Sequence, residues 1–309
     1  MVFEGLTSED FEQYLPERRT SAMYTLKRRA VKEKLVAISE AIQAQLGEAL
    51  QGLSPELSDE APGLTNKRCV DRQWLTFQRD AEAQSRLRIF LNEIKLSAPD
   101  ALDVALFRKH AHLAVVVDER FLETSLRVQR RARLDRENLA ARMKEGWARE
   151  RLVELLRACG AGFTFGLVDD RELPETQVEA VAPDDVPGLL ADGAERGWLV
   201  VAATCSIEDA VALGADVSAA CAERLAPLLE LYRFAAWSPD NDHIAAKKAI
   251  KEAKAASRQS FKKGERVRIL AGMWSGRTGA VEEVDKKGRV KVAVGLVSVW
   301  VEEGEATSI

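Results

Sequence analysis

The sequence predicts an α+β protein in which a large N-terminal domain, built from helices and a mainly antiparallel sheet, precedes a small all-β barrel. Helical periodicity comes first, segments of strand and helix character then mix through the middle, and short alternating segments separated by glycines fill the C-terminal end. Strand runs beside helix runs are typical of the α+β class. We therefore divide the chain into a body at 1–238, a basic helical linker at 239–260 and a barrel at 261–309.

The body begins with helices. Thr7 or Ser8 is the predicted N-cap of a short first helix. A long helix is predicted after Pro16, because apolar residues recur every three, four or seven positions along one stripe, namely Tyr24, Val31, Leu35, Ile38, Ile42, Leu46 and Ala49. Glycines and prolines then predict a loop at 47–63.

Strands dominate the next part of the body. Branched and aromatic residues predict them near 70–79, 87–96, 111–118, 123–134, 162–169, 176–181 and 197–203. Asp135 is expected to cap a helix that continues to about Cys159, and a final amphipathic helix is predicted from Asp216 to about Trp237. The order of these elements favours an antiparallel sheet.

The linker differs in composition from the body. Residues 243–257 are rich in Ala and Lys, which are good helix formers, and they lack an apolar stripe. We expect an exposed helix with a reach of roughly 20 Å.

The C-terminal segment alternates apolar and cationic residues. Val267 and Ile269 alternate with Arg266 and Arg268, and similar alternation recurs around Val290–Val294 and Val297–Val301. Glycines fall where the chain must reverse, and Asp285–Gly288 predicts a tight turn. Four or five short strands are too few for two packed layers, so we expect them to bury their valines by closing into a barrel.

Four parts of this segment resemble a KOW motif on an SH3-like barrel, as found in the C-terminal domain of NusG-type transcription factors and in several ribosomal proteins. They are Val267-Arg-Ile-Leu270, the spacing Gly272-xxx-Gly276-xx-Gly279, Val281-Glu-Glu-Val-Asp285 and Gly288-Arg-Val-Lys-Val292. The fourth strand departs from that pattern, since Gly295-Leu-Val-Ser-Val-Trp300 replaces the usual polar and aromatic run. The resemblance implies binding to RNA, the ribosome or transcription machinery without choosing among them.

Parts of the body resemble the uncharacterised bacterial YktB-like family. The matching segments are Phe3-Glu-Gly-Leu6, Asp10-Phe11, Met23-Tyr-Thr-Leu-Lys27, Lys34-Leu35, Trp74-Leu-Thr-Phe77 and Leu228-Leu-Glu-Leu-Tyr232. The family's His-rich segment before the Trp-containing strand is absent here. The resemblance implies an α+β fold and brings no known activity.

Composition and charge limit the class of protein. The 309 residues are 46% hydrophobic and 30% charged, which is typical of a soluble globular protein. No signal peptide or apolar run long enough to cross a membrane is visible, and the four cysteines form no CxxC pair. We therefore expect a cytoplasmic protein with no membrane partner and with reduced thiols.

The net charge of −4 is unevenly distributed. Residues 243–294 contain 14 Lys and Arg against 5 Asp and Glu, a surplus of nine positive charges, so the remainder of the chain carries −13. A basic end on an acidic body favours an anionic partner for that end, whereas a solvated surface is the alternative.

The body offers three candidates for chemistry or binding. His110 and His112 would share a strand face and could hold a metal with Asp118, although an ordinary polar pair at a strand end explains them as well. Cys205 precedes a helix start but is expected to be a core thiol. An arginine cluster could bind phosphate or form salt bridges within the body, and it comprises Arg127, Arg130, Arg131, Arg133 and Arg136.

No nucleophile-elbow, P-loop or dinucleotide-binding motif is present, so we assign no catalytic residue, metal or cofactor and favour a protein without enzymatic activity. The predicted binding residues lie in the barrel segment, where cations would neutralise phosphates: Lys262, Lys263, Arg266, Arg268, Arg277, Lys286, Lys287 and Arg289. Met273 and Trp274 would add an apolar or stacking contact, unless Trp274 fills the barrel interior.

These residues predict a partner that is RNA, the ribosome or a transcription complex. One alternative is a protein–protein adaptor that uses Val297–Trp300 as an interaction edge. Another is an enzyme or small-molecule binder in the body, which the barrel would bring to its target.

Overall fold

The computed structural model of the chain describes residues 3–85, 87, 110–129, 131–169, 171–191, 197–244, 261–269, 274, 277–285, 289–295, 297–301 and 306–308. The chain divides into two compact units, Met1–His243 and Ile244–Ile309. The first unit combines helices with a sheet, while the described residues of the second from Phe261 onward form strands and turns. The predicted α+β class with a separate all-β unit is therefore confirmed.

One antiparallel sheet organises the first unit, and six strands of its described residues belong to it. The strands are β1 (Leu53–Leu57), β2 (Arg72–Arg79), β3 (His112–Asp118), β4 (Phe121–Gln129), β5 (Phe163–Val168) and β6 (Trp198–Ser206). Their order across the sheet is β1-β2-β3-β4-β6-β5, and each neighbouring pair is antiparallel. A tight turn joins β3 to β4, where the Asp118 carboxylate accepts hydrogen bonds from the backbone N–H groups of Arg120 and Phe121.

Helices of the first unit cover one face of this sheet. Among the described residues they include α1 (Ser8–Glu12), α2 (Thr25–Leu46), α3 (Arg133–Arg142), α4 (Gly146–Ala158), α5 (Val186–Ala191), α6 (Ile207–Ala212) and α7 (Val217–Ala235). The predicted stripe of α2 is buried at Val31, Leu35, Ile38 and Ile42, and α2 packs against both α7 and β2. The long helices thus bury their apolar sides on the sheet, as amphipathic helices do.

The two faces of the sheet differ in chemistry. Successive residues of a strand point to opposite faces, so Leu113, Val115 and Val117 of β3 enter the apolar core beneath the helices. The alternate residues of β3, which include His112 and Ala114, lie on the other face. That second face carries polar and charged side chains together with the smaller apolar cluster around Trp198.

Several boundaries differ from the sequence predictions. The strand predicted at 123–134 ends at Gln129, and the helix predicted from Asp135 to Cys159 is two helices, α3 and α4. The segment at 176–181 forms a single helical turn with one isolated bridge to Thr164 in place of a full strand. Strand β1 lies in the predicted loop, where it pairs along the edge of β2. Most of the strand predicted at 87–96 lies outside the described residues, as do residues 245–260 of the linker.

Asp135 does not cap a helix, so the N-cap prediction is wrong. The N-cap of α3 is Ala132, and Asp135 lies in the first turn with its carboxylate buried. That carboxylate accepts hydrogen bonds from Arg79 Nη1 (3.1 Å) and Nη2 (2.7 Å) and from the backbone N–H groups of Ala111 (2.7 Å) and Trp237 (2.8 Å). It therefore ties together β2, the start of β3 and the chain that follows α7.

The second unit is a small antiparallel sheet. Its described strands are β7 (Arg266–Ile269), β8 (Thr278–Val284), β9 (Val290–Val294), β10 (Val297–Val301) and β11 (Ala306–Ser308), in the order β10-β9-β8-β7-β11. Alternate residues enter one apolar cluster, namely Phe261, Val267, Ile269, Val281, Val290, Val292 and Val301. One cluster shared by β7, β8, β9 and β10 is consistent with a small barrel-like domain.

Gly279 permits the close approach of β8 to β9. A Cβ atom at this position would lie 2.2 Å from the carbonyl oxygen of Ala293 and 2.6 Å from a side-chain carbon of Val292. Neither neighbour can move without disturbing the sheet or its core, so only glycine fits here.

In the described part of the chain, no helix combines the length and the apolar character that crossing a lipid bilayer requires.

Candidate nucleic-acid interface

The outward face of β7 presents two arginines. Because Val267 and Ile269 are buried in the core of the second unit, the intervening Arg266 and Arg268 face outward and are exposed. Their cross-strand partners on β8 are Ala280 and Thr278. Neither partner is acidic, so the sheet itself does not neutralise this pair of cations.

Turns that flank β7 add further cations. Lys262 and Lys263 are exposed where the chain enters the unit, and Gly264 reverses it with a φ of 89° while its N–H binds the carbonyl of Val281. Arg277 is exposed at the end of the β7–β8 connection, where its N–H bonds to the carbonyl of Trp274 (3.1 Å). We call Lys262, Lys263, Arg266, Arg268 and Arg277 the basic surface.

The side chains of the basic surface form no ion pair with any described residue. The ion pairs of the described part of this unit involve two other cations, since Arg289 Nε lies 2.8 Å from Asp285 Oδ2 and Lys291 Nζ lies 3.7 Å from Glu282 Oε2. Described acidic side chains of the unit thus pair with Arg289 and Lys291, and none of them pairs with the cations near β7. A set of exposed cations without partners is suited to phosphate groups.

Trp300 is an exposed aromatic residue next to paired cations. Its side chain is 45% exposed on the edge strand β10, the Arg289 guanidinium lies 5.5 Å from the centre of its ring, and Lys291 is its direct cross-strand partner. The sequence interpretation includes Trp300 only in the protein-interaction alternative. Alternation with the buried Val301 is the signal that its ring faces outward.

Trp274 has a different environment. It is half-buried and packs against the apolar cluster of the second unit, which is the placement that the alternative of a filled barrel interior describes. Arg289 is exposed and paired with Asp285. Met273, Lys286 and Lys287, the remaining predicted binding residues, lie outside the described residues.

The histidine pair of the body does not assemble with Asp118. His112 begins β3 and Asp118 ends it, so six strand steps of about 3.3 Å separate them by about 20 Å. Asp118 instead binds the guanidinium of Arg120 (2.8 Å), and His112 Nδ1 lies 3.2 Å from the carbonyl oxygen of His110. Among the described residues, no group of three or more His, Cys, Asp or Glu side chains is placed to hold a metal.

Two further body candidates serve the fold. Cys205 is buried in the apolar core, as expected for a core thiol. Arg127 is buried and forms a bidentate pair with Glu123, with both N–O distances at 2.8 Å. The salt-bridge explanation therefore holds for this member of the arginine cluster.

The other arginines of that cluster do not share one environment. Arg131 is exposed, whereas Arg136 is half-buried and donates a hydrogen bond to the Val128 carbonyl. Arg130 and the side chain of Arg133 lie outside the described residues. The described members therefore do not form one phosphate-binding face.

Comparison with known proteins found neither a protein family nor a characterised protein that matches the chain.

Proposed function

We propose that this chain is a non-enzymatic binding protein whose C-terminal barrel-like unit engages RNA, either free or within a ribosome or transcription complex in the cytoplasm. The observation that carries the proposal is the basic surface, five exposed cations that no described carboxylate neutralises. The resemblance of this segment to a KOW motif supports the same partner class.

Positive charges that are concentrated on one surface repel each other unless carboxylates or a bound anion neutralise them. Several cations of the first unit are paired within it, for example Lys32 with Glu60 (2.8 Å) and Lys34 with Asp10 (2.6 Å). Among the described residues the basic surface has no such pairs, so a polyanion that binds there displaces its own counterions without breaking a described ion pair of the protein. Arginines suit phosphate particularly well because their planar donors match phosphate geometry.

Trp300 adds a contact of another kind. An exposed indole ring offers a face on which an unpaired base can stack, and the stack tolerates any base. The guanidinium of Arg289 holds the ring from one side through a cation–π contact. Phosphate contacts and base stacking together are characteristic of single-stranded nucleic-acid binding, so we name single-stranded RNA as the form recognised.

The test measures how binding of a single-stranded RNA of about 16 nucleotides depends on salt. Each phosphate contact that a substitution removes should reduce the slope of log K against log salt by about 0.7. The triple variant Arg266→Gln, Arg268→Gln, Arg277→Gln should therefore lower the slope by about 2, as measured by fluorescence anisotropy from about 50 to 200 mM salt. Trp300→Ala should weaken binding about tenfold, because it removes one stacking interaction.

Matched variants separate these effects from general damage. Lys291→Gln removes a cation that Glu282 already pairs, and Val297→Ala trims another exposed side chain of β10, so both should leave the slope and the affinity nearly unchanged. Binding that does not respond to salt, or a triple variant with the slope of the parent protein, would contradict the proposal.

A protein adaptor is the second candidate, because β10 is an edge strand of the described sheet and exposes Val297 and Trp300. A partner's strand could add to this edge and cover both apolar side chains. Capture of a protein that survives nuclease treatment and about 1 M salt, where surface charges are screened, would favour this candidate over RNA.

A further inference from the structure

The sheet face opposite α2 and α7 contains a cavity of about 450 Å³ in the first unit. This volume lies within the range of small-molecule sites, which is about 300–1,000 Å³. The loop between β1 and β2 forms one wall, and β2, β3 and β4 form the floor. The cavity lining includes Glu56, Trp74, Ala114, Val116, Arg127 and Trp198.

A row of small side chains explains why the cavity exists. Register places Thr76, Ala114, Ser125 and Ala202 directly opposite one another on β2, β3, β4 and β6. The rows on either side of it are larger, since one contains Trp74, Val116 and Glu123 and the other contains His112 and Arg127. On β2 and β3 a trough therefore lies between these larger rows, two strand residues from each, and it ends at β4, where Arg127 reaches across Ser125 to Glu123.

Arg127 supplies a hydrogen-bond donor at the cavity. The residue is only 5% exposed and lines the cavity, while its Nε and Nη2 groups bind the Glu123 carboxylate and Nε also contacts Ser125 Oγ (3.2 Å). Its Nη1 group makes no hydrogen bond to a described residue. Because Glu123 neutralises the guanidinium in place, the free donors face the cavity without net positive charge, which favours a neutral acceptor over a phosphate or carboxylate.

The remaining lining suits a flat ring. Trp198 contacts both His112, edge to face at 5.9 Å, and the Arg127 guanidinium, and Trp74 lines the cavity from β2. Ala114 and Val116 add an apolar floor. Glu56, at the rim, accepts a hydrogen bond from Gln78 through Oε2 and can accept another from a ligand N–H through Oε1.

We propose that this cavity binds a neutral planar heteroaromatic compound that carries a ring carbonyl and ring N–H groups, which is the chemistry of a nucleobase or nucleoside. The carbonyl oxygen accepts a hydrogen bond from Arg127 Nη1 on β4. A donor on the opposite side of the ligand, a ring N–H of a free base or a ribose hydroxyl of a nucleoside, donates to Glu56 on β1. This site lies wholly in the first unit, so the inference does not depend on RNA binding by the second.

Inosine and adenosine provide the sharpest test, because inosine carries a ring carbonyl and a ring N–H where adenosine carries an amino group and a bare nitrogen. Isothermal titration calorimetry on the full chain should show saturable binding of inosine. Adenosine should bind about tenfold to a hundredfold more weakly, because it leaves the Arg127 donor unsatisfied. Inosine 5′-monophosphate should bind no more tightly than inosine, since the cavity offers no net positive charge to its phosphate.

Two variants place the binding in the cavity. Ala114→Leu fills the floor of the trough and should abolish inosine binding. Thr204→Leu also introduces a leucine on this face, but at an exposed site beside Glu123 and outside the cavity lining, so it should leave inosine binding unchanged. The proposal would be overturned if inosine still binds to Ala114→Leu, or if inosine and adenosine bind with equal affinity. It would also be overturned if the parent protein shows no saturable binding of inosine. The comparison of inosine with adenosine uses the unaltered chain, so it tests the proposal even if Ala114→Leu does not fold.

Discussion

Replacement of Asp135 by alanine should destabilise the first unit strongly, because this carboxylate is the shared acceptor of four buried hydrogen bonds. The side chains of Asp135 and Arg79 are 1% and 6% exposed. Asp135→Ala would leave a buried guanidinium without its counter-charge and would remove the partner of two backbone N–H groups, those of Ala111 and Trp237.

The expected magnitude follows from these hydrogen bonds. Removal of one partner of a buried ion pair costs about 3–5 kcal/mol. An orphaned buried donor costs about 1–3 kcal/mol, although water that enters the space left by the carboxylate reduces that cost. We therefore expect a decrease of about 4–6 kcal/mol in the free energy of unfolding. For a unit of this size, a decrease of that amount lowers Tm by roughly 10–20 °C.

Urea unfolding followed by circular dichroism at the helix band is the assay, because the helices of the described residues lie in the first unit. The double variant Asp135→Leu, Arg79→Met removes both charges, so it should lose much less stability than the sum of the two single variants. Glu230→Ala is the matched control, since it breaks an exposed pair with Arg233 and should cost less than about 0.5 kcal/mol. A decrease below about 1 kcal/mol in Asp135→Ala, or additive effects in the double variant, would refute the reasoning.

The same carboxylate gives the stability a defined pH dependence. Burial alone would raise the pKa of Asp135, but the charge and hydrogen bonds of Arg79, with the Ala111 N–H, hold that pKa below its ordinary value of 3.8. The folded state thus releases this proton more readily than the unfolded state does. The stabilisation is fully present above the unfolded pKa and declines as the pH falls below about 4 toward the folded pKa. The difference in unfolding free energy between the parent protein and Asp135→Asn should therefore stay constant near neutral pH and narrow in acid.

Two further predictions concern single positions. Gly279→Ala should unfold or severely destabilise the second unit, because the added Cβ would lie 2.2 Å from the carbonyl oxygen of Ala293. The circular dichroism signal from the helices of the first unit should stay unchanged. Native-like amide exchange in β8 and β9 of the variant would be inconsistent with this packing. Burial raises the pKa of Cys159 and of Cys221 to about 12, and Cys205 is also buried. A thiol reagent near pH 8 should therefore modify only the half-exposed Cys69 in the native protein, and all four cysteines after denaturation. Rapid modification of more than one thiol in the native protein would contradict these burials.

Residues with a repeating pattern can be interpreted from the sequence alone. The stripe of α2 and the alternation of Val267 and Ile269 with Arg266 and Arg268 place their side chains inside or outside with no knowledge of the neighbouring elements. The exposed cations of β7 are predictable for that reason. The outward position of Trp300 is encoded in the same kind of alternation, although its interaction with Arg289 depends on how the β9 and β10 strands pair.

The burial of Asp135 and Arg127 could not be predicted from the pattern of residues in the sequence. Both are charged residues near element ends, where capping or solvent exposure is the usual outcome. The burial of Asp135 depends on Arg79, which lies 56 residues earlier. Arg127 pairs with Glu123 on its own strand, but Trp198, which contacts its guanidinium, lies on β6, and the cavity beside it arises from the register of β2, β3 and β4.

The sequence by itself therefore determined the α+β class, the barrel-like unit and the faces of its helices and strands, because side-chain periodicity is a local property of the backbone. Strand order, the buried Asp135–Arg79 pair and the cavity were decided by the tertiary structure alone, because each depends on which distant segments pack together and on how far their charges are removed from water.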